Sequence, residues 1–292
     1  MTGLKYISWF NVLSLCLFAG VAYAGGDTHV VDVRGRTFRC GNYYRIVSLA
    51  PNITEILFFV KAQGLLKGVT RFCNYPEEAK KIEKVGGISD VDVEKIISLE
   101  PDLIIATKDG NPRRVVDFLE AASIPSFVIN PRNIEEIIDS MEKIACLTGG
   151  SIDVFGKIES IRGEFMLRRR RESGGGPRVL FLVSRSPMIA AGKDTFINEM
   201  ILFSGGINVV EDFDISYPRL GVEIILSLSP DIIFAVTSMG GEVGDGQLKR
   251  IRDIAGRGRI QIIAVDPDIY TRPGPRLFQG MREIEEILDR TR

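Results

Sequence analysis

The sequence predicts an α/β protein with two lobes, each containing a parallel sheet, joined by one long helix. Short runs rich in Val and Ile alternate with helical segments of about ten residues, which is typical of βαβ units. A helical pattern over 134–171 interrupts this alternation, and one helix-turn-strand segment occurs twice. The 292-residue chain is 45% hydrophobic and 26% charged, an ordinary composition for a globular protein.

Residues 1–24 are predicted to be a signal peptide. Lys5 precedes an apolar run from Ile7 that closes on Ala22-Tyr23-Ala24, the small-x-small pattern of a cleavage site. We therefore expect export to the periplasm with cleavage after Ala24. Two alternatives stay open: the 19 residues from Tyr6 to Ala24 nearly suffice to span a bilayer as a retained anchor, and Cys16 would carry the lipid of a lipoprotein. No later run is long and apolar enough to span a membrane, so the mature protein is expected to be soluble.

An N-terminal extension is predicted over 25–43 and an N-terminal lobe over 44–145. Asn52 with Glu55 three residues later is typical of a capping box, which predicts a helix through Val60. Further helices are predicted from about Pro76 and over Pro112 to Ala122. The predicted strands are Tyr44 to Ala50, Leu66 to Thr70, Asp102 to Thr107 and Ser126 to Ile129.

A bridging helix is predicted over 146–173, at the end of the long helical pattern, and a C-terminal lobe over 174–292. Four arginines, Arg168 to Arg171, indicate either a solvated helix end favoured by the helix dipole or an anion site. The sequence Ser173-Gly-Gly-Gly-Pro177 then predicts a linker. The elements predicted for the C-terminal lobe are strands over Arg178 to Val183, Asp231 to Val236 and Gln261 to Val265, and helices over Thr195 to Phe203 and Arg276 to about Arg290.

An internal repeat relates the two lobes. The segment Val93-Glu94-Lys-Ile-Ile-Ser-Leu-Glu-Pro101-Asp102-Leu-Ile-Ile-Ala106 matches, 129 positions later, Val222-Glu223-Ile-Ile-Leu-Ser-Leu-Ser-Pro230-Asp231-Ile-Ile-Phe-Ala235. Each copy predicts a short helix opened by Glu, a Pro-Asp turn and a buried parallel strand. Because each predicted lobe contains one copy, we expect related lobes that face each other.

The composition excludes several classes of function. With 37 Lys+Arg against 38 Asp+Glu the net charge is −1, so the chain lacks the basic excess of a nucleic-acid-binding surface. His29 is the only histidine and falls in the predicted irregular start of the mature chain, which leaves none for a catalytic triad or a zinc site. Phosphate-binding loops, nucleophile elbows and Cys-x-x-Cys motifs are also missing, so we expect neither an enzyme nor a protein-bound metal.

Three cysteines, Cys40, Cys73 and Cys146, remain after cleavage of the signal peptide. In an oxidising compartment they allow one disulfide and one free thiol. Cys40 and Cys73 flank adjacent predicted elements and are the candidate pair. Three buried thiols are an alternative that the sequence leaves open.

A cleft between the lobes, at the carboxyl ends of the strands, is the default ligand site in this architecture. The loops that leave those ends contain aromatic residues and arginines, which suit a bulky, partly apolar ligand with carboxylates, amides or phosphate. These loops are Arg71 to Tyr75, Lys108 to Asn111, Ser184 to Ser186, Ser216 to Arg219 and Asp268 to Arg272.

Several spaced motifs over the mature chain, from Asp32 to the C-terminus, resemble the periplasmic binding proteins for vitamin B12 and iron chelates. They are the Asp-x-x-Gly-Arg opening at Asp32, Arg45-Ile-Val-Ser-Leu-Ala-Pro51-Asn-Ile-Thr-Glu55, Asn74-Tyr75-Pro76, Gly110-Asn111-Pro112, Arg272-Pro-Gly-Pro-Arg276 and the two copies of the repeat. The resemblance implies two Rossmann-like lobes bridged by a single long backbone helix, the class III architecture. It also implies a monomer without a covalent cofactor that delivers a metal chelate to the permease dimer of an ABC importer with its ATPase.

The resemblance also assigns roles to individual residues. Glu94 and Glu223 match the pair that docks, one from each lobe, into arginine pockets of the permease. The residues expected to contact the ligand are Phe72, Tyr217, Tyr270, Arg272, Arg71 and Arg185. The sequence around Asn74-Tyr75-Pro76 and Gly110-Asn111-Pro112 resembles cobalamin-binding members of the family more than siderophore receptors, which favours a corrinoid such as cobalamin as the ligand.

The absence of Trp from the mature chain, with Ile88 and Thr107 where bulky aromatics are expected, keeps a ferric siderophore or haem as the alternative ligand. Two rivals from other classes are an enzyme or chaperone that handles corrinoids or iron chelates, and a membrane-tethered ligand sensor. Turnover of a bound chelate would indicate the first, and a retained N-terminal segment the second.

Overall fold

The computed structural model describes residues 28–169, 175–237, 245–256 and 260–291. The predicted signal peptide and its cleavage site lie outside these residues, as do Arg170, Arg171 and the first two residues of the predicted Gly-rich linker, Ser173 and Gly174. None of the helices in the described ranges combines the length and the hydrophobicity needed to cross a membrane.

The described chain begins with an antiparallel hairpin of β1 (His29–Val31) and β2 (Thr37–Arg39). Its turn is held by Asp32, whose buried carboxylate accepts the backbone N–H groups of Arg34 at 2.8 Å and Arg36 at 3.0 Å. His29 therefore lies in a strand, and the prediction of an irregular start is wrong at this point. The cross-strand pairing of residues 29–31 with 37–39 accounts for the difference.

The N-terminal sheet has four parallel strands in the order β4-β3-β5-β6. These are β3 (Ile46–Ser48), β4 (Leu66–Val69), β5 (Leu103–Thr107) and β6 (Ser126–Ile129), with α1 (Pro51–Phe59), α2 (Val93–Ser98) and α3 (Arg113–Ala121) between them. The predicted strands are confirmed. The helix expected from Pro76 is a short 3-10 helix, Glu77–Lys81.

The start of α1 differs from the predicted capping box. The helix begins at Pro51 with Ala50 as its N-cap, and no side chain caps it. Proline suits this first position because the missing N–H has no helical partner there. Glu55 instead directs its carboxylate to two arginines far along the chain.

The long helical pattern is divided into two helices, α4 (Ile134–Leu147) and α5 (Ile152–Arg169). Gly149 adopts a φ of 70°, a left-handed conformation that favours glycine and ends a helix. The predicted bridging helix corresponds to α5. At its end Arg168 forms ion pairs with Glu164 and with Glu285, so this arginine is engaged within the protein.

The disulfide joins Cys40 to Cys146, with Cα atoms 5.0 Å apart. The prediction that Cys73 pairs with Cys40 is wrong. Cys73 is a buried free thiol, and its sulfur lies 3.1 Å from the hydroxyl of Thr54. The end of the hairpin packs on the end of α4, where Gly41 donates its N–H to the carbonyl of Cys146 at 2.9 Å. This docking brings together two cysteines that are 106 positions apart.

The C-terminal sheet has the order β11-β10-β7-β8, with β9 paired to β7. All of these pairings are parallel except that of β8 with β7. Its strands are β7 (Arg178–Arg185), β8 (Met188–Ala190), β9 (Ile207–Asn208), β10 (Ile232–Val236) and β11 (Gln261–Val265). The accompanying helices are α6 (Phe196–Phe203), α7 (Val222–Ser227), α8 (Asp245–Ala255), α9 (Pro267–Tyr270) and α10 (Leu277–Thr291).

The repeat is visible in the structure. Both α2 and β5 recur, with the same limits, 129 positions later as α7 and β10. The residue before the Pro-Asp turn has a φ of 46° in both copies, Glu100 and Ser229. Since non-glycine residues seldom adopt this conformation, the shared value marks the same turn in each lobe.

In each lobe, an arginine from outside the repeated segment binds the Pro-Asp turn of that segment. Arg45 donates its Nε to the carbonyl of Glu100 at 2.8 Å, and Arg178 donates its Nε to the carbonyl of Ser229 at 3.1 Å. Each arginine also donates its backbone N–H to the Asp of the Pro-Asp turn. The two lobes are therefore related in side-chain detail as well as in sequence.

The two sheets share one hydrophobic core. The same cluster of buried side chains includes Ile53 of α1, Ile138 of α4, Phe165 of α5, Phe181 of β7 and Met281 of α10. Helices α4 and α6 also meet directly, because Glu199 accepts the backbone N–H of Ile134 at 2.7 Å. Close packing across the two halves favours limited relative motion.

Four carboxylates surround Arg162 where α5 packs on α4: Glu135, Asp139, Glu142 and Glu159. One guanidinium cannot neutralise all four, and burial together with Glu159 raises the pKa of Glu142 to about 7. The folded protein therefore binds a proton that the unfolded chain releases above the ordinary Glu pKa of 4.5. The free energy of unfolding should fall as the pH rises from about 4.5 to 7.

We expect Glu142→Gln to remove this pH dependence and to stabilise the protein by about 1–2 kcal/mol at pH 8, allowing for solvent screening. Urea unfolding at pH 5 and pH 8 measures both effects. Glu286→Gln, at an exposed position on α10, is the control that should retain the wild-type pH dependence. An unchanged pH dependence in Glu142→Gln would contradict the assignment.

Candidate functional site

A cleft of about 540 Å³ lies at the carboxyl ends of strands from both sheets. The N-terminal lobe contributes the start of α1, the loop after β4, and the residues after β5 and β6. The C-terminal lobe contributes the start of α6, the loop that contains Tyr217, and the segment around α9. This is the position expected from the order of strands and helices.

Asn111 shapes the N-terminal wall of the cleft. Its buried side-chain amide donates to the carbonyls of Leu49 at 3.0 Å and Ile88 at 2.9 Å, and its oxygen accepts the N–H of Thr107 at 2.8 Å. Three separate chain segments are tied together by this single side chain. The Gly110-Asn111-Pro112 motif thus has a structural role: through Asn111 it holds the backbone of two cavity-lining residues, Ile88 and Thr107.

The C-terminal wall is built on the start of α6. Thr195 is its N-cap, and its hydroxyl accepts the N–H of Asn198 at 3.1 Å. Asp194 lines the cavity with a φ of 58°, and Phe196 places an aromatic face beside it. A non-glycine residue held in the left-handed region next to a cavity is a frequent feature of functional sites.

The two lobes face each other at Tyr217. Burial and the nearby Asp109 raise the pKa of its hydroxyl, while Arg132 acts in the opposite direction. Asp109 and Arg132 belong to the N-terminal lobe, with Arg132 Nη2 3.7 Å from the Asp109 carboxylate. Tyr217 is therefore neutral at physiological pH and available to stack on a ligand or to bond with it.

Three of the residues expected to contact the ligand line the cavity: Phe72, Tyr217 and Arg272. Phe72 and Tyr217 come from different lobes, so an aromatic side chain from each reaches the same space. Arg272 is already engaged: its Nη1 donates to Glu55 and to Asn74, both at 2.9 Å, and its Nη2 lies 2.5 Å from Asp268.

The other three expected residues do not line the cavity. Tyr270 is buried, packs near the ring of Phe181, and donates its hydroxyl to Glu283; burial and this carboxylate raise its pKa. Arg71 pairs with Asp90 at 2.8 Å and lies over the ring of Phe72. Arg185 is the last residue of β7 and is not among the residues that line the cavity.

Sequence reasoning missed several polar residues of the lining: Asn130, Arg132, Asp194 and Thr195. Asn130 and Arg132 come directly after β6, a strand that was predicted correctly. The carboxyl end of that strand was the available signal, because neighbouring parallel strands open on the same edge.

The two glutamates expected to dock the permease occupy matching places. Glu94 lies in the first turn of α2 and Glu223 in the first turn of α7, and both are exposed. Glu223 pairs with Arg250 at 3.2 Å, whereas Glu94 has no ion-pair partner among the described residues. Their equivalence follows from the repeat.

The chemistry of the site is that of binding. Among the described residues, no group of three or more His, Cys, Asp or Glu side chains is arranged to hold a metal ion. The lining combines the aromatic faces of Phe72, Phe196 and Tyr217 with amides and hydroxyls. Such a mixture binds a large ligand through apolar contact and a few hydrogen bonds.

Two related α/β lobes around a shared cleft define a two-lobed ligand-binding protein. Residues 46–256 match the model of the periplasmic binding protein family, and the chain belongs to that family.

Relatives and solved structures agree with this assignment. The vitamin B12-binding protein of Yersinia pestis (strain Pestoides F) is 27% identical over 241 residues, 82% of this chain and 84% of the relative. The periplasmic vitamin B12-binding protein of Vibrio cholerae superposes with a TM-score of 0.69 at 26% identity, covering 85% of this chain and 97% of the other. The periplasmic heme-binding protein of Roseiflexus sp. RS-1 superposes with a TM-score of 0.71 at 25% identity, covering 82% of this chain and 96% of the other.

Proposed function

We propose that this protein is exported, binds a chelated metal in its inter-lobe cleft, preferably a corrinoid such as cobalamin, and delivers it to the permease of an ABC importer. The observation that carries the proposal is the cleft itself, where Phe72 and Tyr217 of opposite lobes face one cavity. Relatives similar over most of the chain are named for vitamin B12 binding. Members of the family are binding proteins, and the cleft needs no catalytic group for this role.

A corrinoid suits the lining for chemical reasons. Its macrocycle offers apolar faces to the aromatic side chains, and its peripheral amides can bond with groups such as Asn130 and Asp194. The metal arrives inside its chelator, so the protein need not supply a cluster of metal ligands. The proposal includes no covalent cofactor, and the protein is taken to act as a monomer.

Calorimetric titration of the mature protein with cyanocobalamin tests the ligand, with a ferric hydroxamate and haem titrated in parallel. We expect sub-micromolar cyanocobalamin binding, because aromatic side chains from both lobes line the cleft. Phe72→Ala and Tyr217→Ala should each weaken binding about tenfold or more, because each removes an aromatic face of the cavity. Phe118→Ala and Tyr44→Ala, at exposed aromatics outside the cavity, are the matched controls. Equal losses in the controls, or no cyanocobalamin binding, would contradict the corrinoid assignment.

Haem or a ferric siderophore is the second candidate, favoured by Tyr217. Tyrosine is one of the side chains that can serve as an axial ligand of haem iron, and Tyr217 lines the cavity. Haem binding with a visible spectrum that changes in Tyr217→Phe, without cyanocobalamin binding, would establish this candidate. The fold and the transport role would be unaffected.

A further inference from the structure

One side of the cleft is closed by polar contacts between the lobes, which we call the inter-lobe latch: Asn52, Glu55, Asn74, Asp268, Arg272 and Arg276. The N-terminal members belong to α1 and to the loop after β4. The C-terminal members belong to the segment 268–276. Sequence separations of 194 to 221 positions show that these contacts join distant parts of the chain.

Glu55 is the centre of the latch. Its side chain is 2% exposed, and each of the two arginines that it binds is 13% exposed. Arg272 donates to Oε1 at 2.9 Å, while Arg276 donates to Oε1 at 2.7 Å and to Oε2 at 3.0 Å. A buried carboxylate with two charge-assisted partners is strongly tied to one geometry.

The latch continues from the arginines to the cavity wall. Arg272 Nη2 lies 3.4 Å from the carbonyl of Phe72, and Asn74 donates to Asp268 at 2.7 Å. Asn52, at the start of α1, donates to the carbonyl of Pro273 at 3.3 Å. Phe72, Asp268 and Pro273 all line the cavity, so the latch sets the relative position of wall residues from both lobes.

The wall at Tyr217 is different. There the lobes influence each other through the charges of Asp109 and Arg132, and Tyr217 forms no inter-lobe hydrogen bond within the part of the chain that the structure describes. One side of the cleft is thus held by buried ion pairs, and the other is not. Motion that admits a ligand costs less on the side without buried ion pairs.

We propose that Glu55 is a positioning residue: by holding Arg272 and Arg276 it makes the Phe72 loop and the 268–276 segment one rigid wall, and ligand entry and release proceed by movement at the Tyr217 side. This inference rests on the proposed function only for the ligand. The coupling of the two segments is a property of the protein without ligand.

Hydrogen exchange of the unliganded protein, followed by mass spectrometry, tests the coupling. Glu55→Gln should accelerate exchange about tenfold or more in peptides covering both 70–75 and 268–276, because both lose their common anchor. Asn74→Ala, which removes two latch contacts without leaving a buried charge, should change the same two segments to a smaller extent. Glu83→Gln breaks an exposed ion pair with Lys95 and is the matched control. Acceleration of one segment alone in both latch variants would overturn the proposal.

Stopped-flow binding of cyanocobalamin tests the effect on the cleft. We expect Glu55→Gln and Asn74→Ala to raise the dissociation rate, by about tenfold in the first, with the association rate changed less than about twofold. A purely structural role would reduce the amount of folded protein and leave the dissociation rate of the folded fraction unchanged, and that outcome would overturn positioning. If the wild-type protein does not bind cyanocobalamin, the corrinoid proposal fails while the exchange comparison still decides the latch.

Discussion

If Glu94 and Glu223 dock into arginine pockets of the permease, as the family resemblance implies, replacing both by arginine is expected to reduce transport to about one hundredth of the wild-type rate or less, because like charges would then meet at both pockets. The affinity for the ligand in solution should not change, since neither side chain lines the cleft. Uptake of radiolabelled ligand into proteoliposomes that contain the importer, together with calorimetry of the isolated binding protein, measures the two quantities separately.

The control for this experiment reverses Glu77 and Glu286, which are about as exposed as Glu223 and lie outside α2 and α7. Transport should survive in the control. If the Glu94/Glu223 variant loses ligand affinity, the two glutamates belong to the ligand site and the docking assignment is wrong. If transport is normal in both variants, docking uses another surface.

Removal of the disulfide is expected to lower the free energy of unfolding by about 2–4 kcal/mol, because Cys40 and Cys146 close a long loop of the unfolded chain. The bond ties the N-terminal hairpin to α4, a helix in the shared core. Urea unfolding of Cys40→Ser/Cys146→Ser measures the loss. A disulfide in this position also agrees with the proposed export to an oxidising compartment.

Reduction provides the internal control for the disulfide. A thiol reductant should destabilise the wild-type protein by the same amount and leave the double variant unaffected, since Cys73 is a free thiol in both. A further loss in the double variant would show that the reductant acts elsewhere. Equal stability of the oxidised and reduced wild type would contradict the expected contribution of the bond.

Much of the fold could be predicted from the sequence because its signals are local. Val-rich and Ile-rich runs predicted the four strands of the N-terminal sheet and β7, β10 and β11 of the C-terminal sheet, but not the short strands β8 and β9. The two copies of the repeat predicted α2, β5, α7 and β10 with their actual order. In the long helical pattern the Gly149-Gly150 pair was the visible break, and the structure shows that α4 ends just before it and α5 begins just after it. Helix ends depend on one or two residues, so they are the weakest part of such a prediction.

The site could be predicted in part. Phe72 and Tyr217 follow from loops at the carboxyl ends of strands, which any α/β sheet directs to one edge. Arg272 was correctly placed at the cavity, but its engagement with Glu55 depends on contact across 217 positions. Tyr270 follows a strand in the same way and yet turns into the core against Phe181, a choice made by packing.

The sequence by itself determined the class of the fold, the duplication and the position of the cleft, because hydrophobic period, turn residues and strand order are encoded within short segments. The tertiary structure alone decided which partners meet. Cys146 rather than Cys73 bonds to Cys40, Glu55 binds two arginines instead of capping α1, and Arg272 braces the wall of the cleft. These outcomes share one physical reason: each depends on the distance between residues that are remote in the chain, and only the packed lobes set that distance.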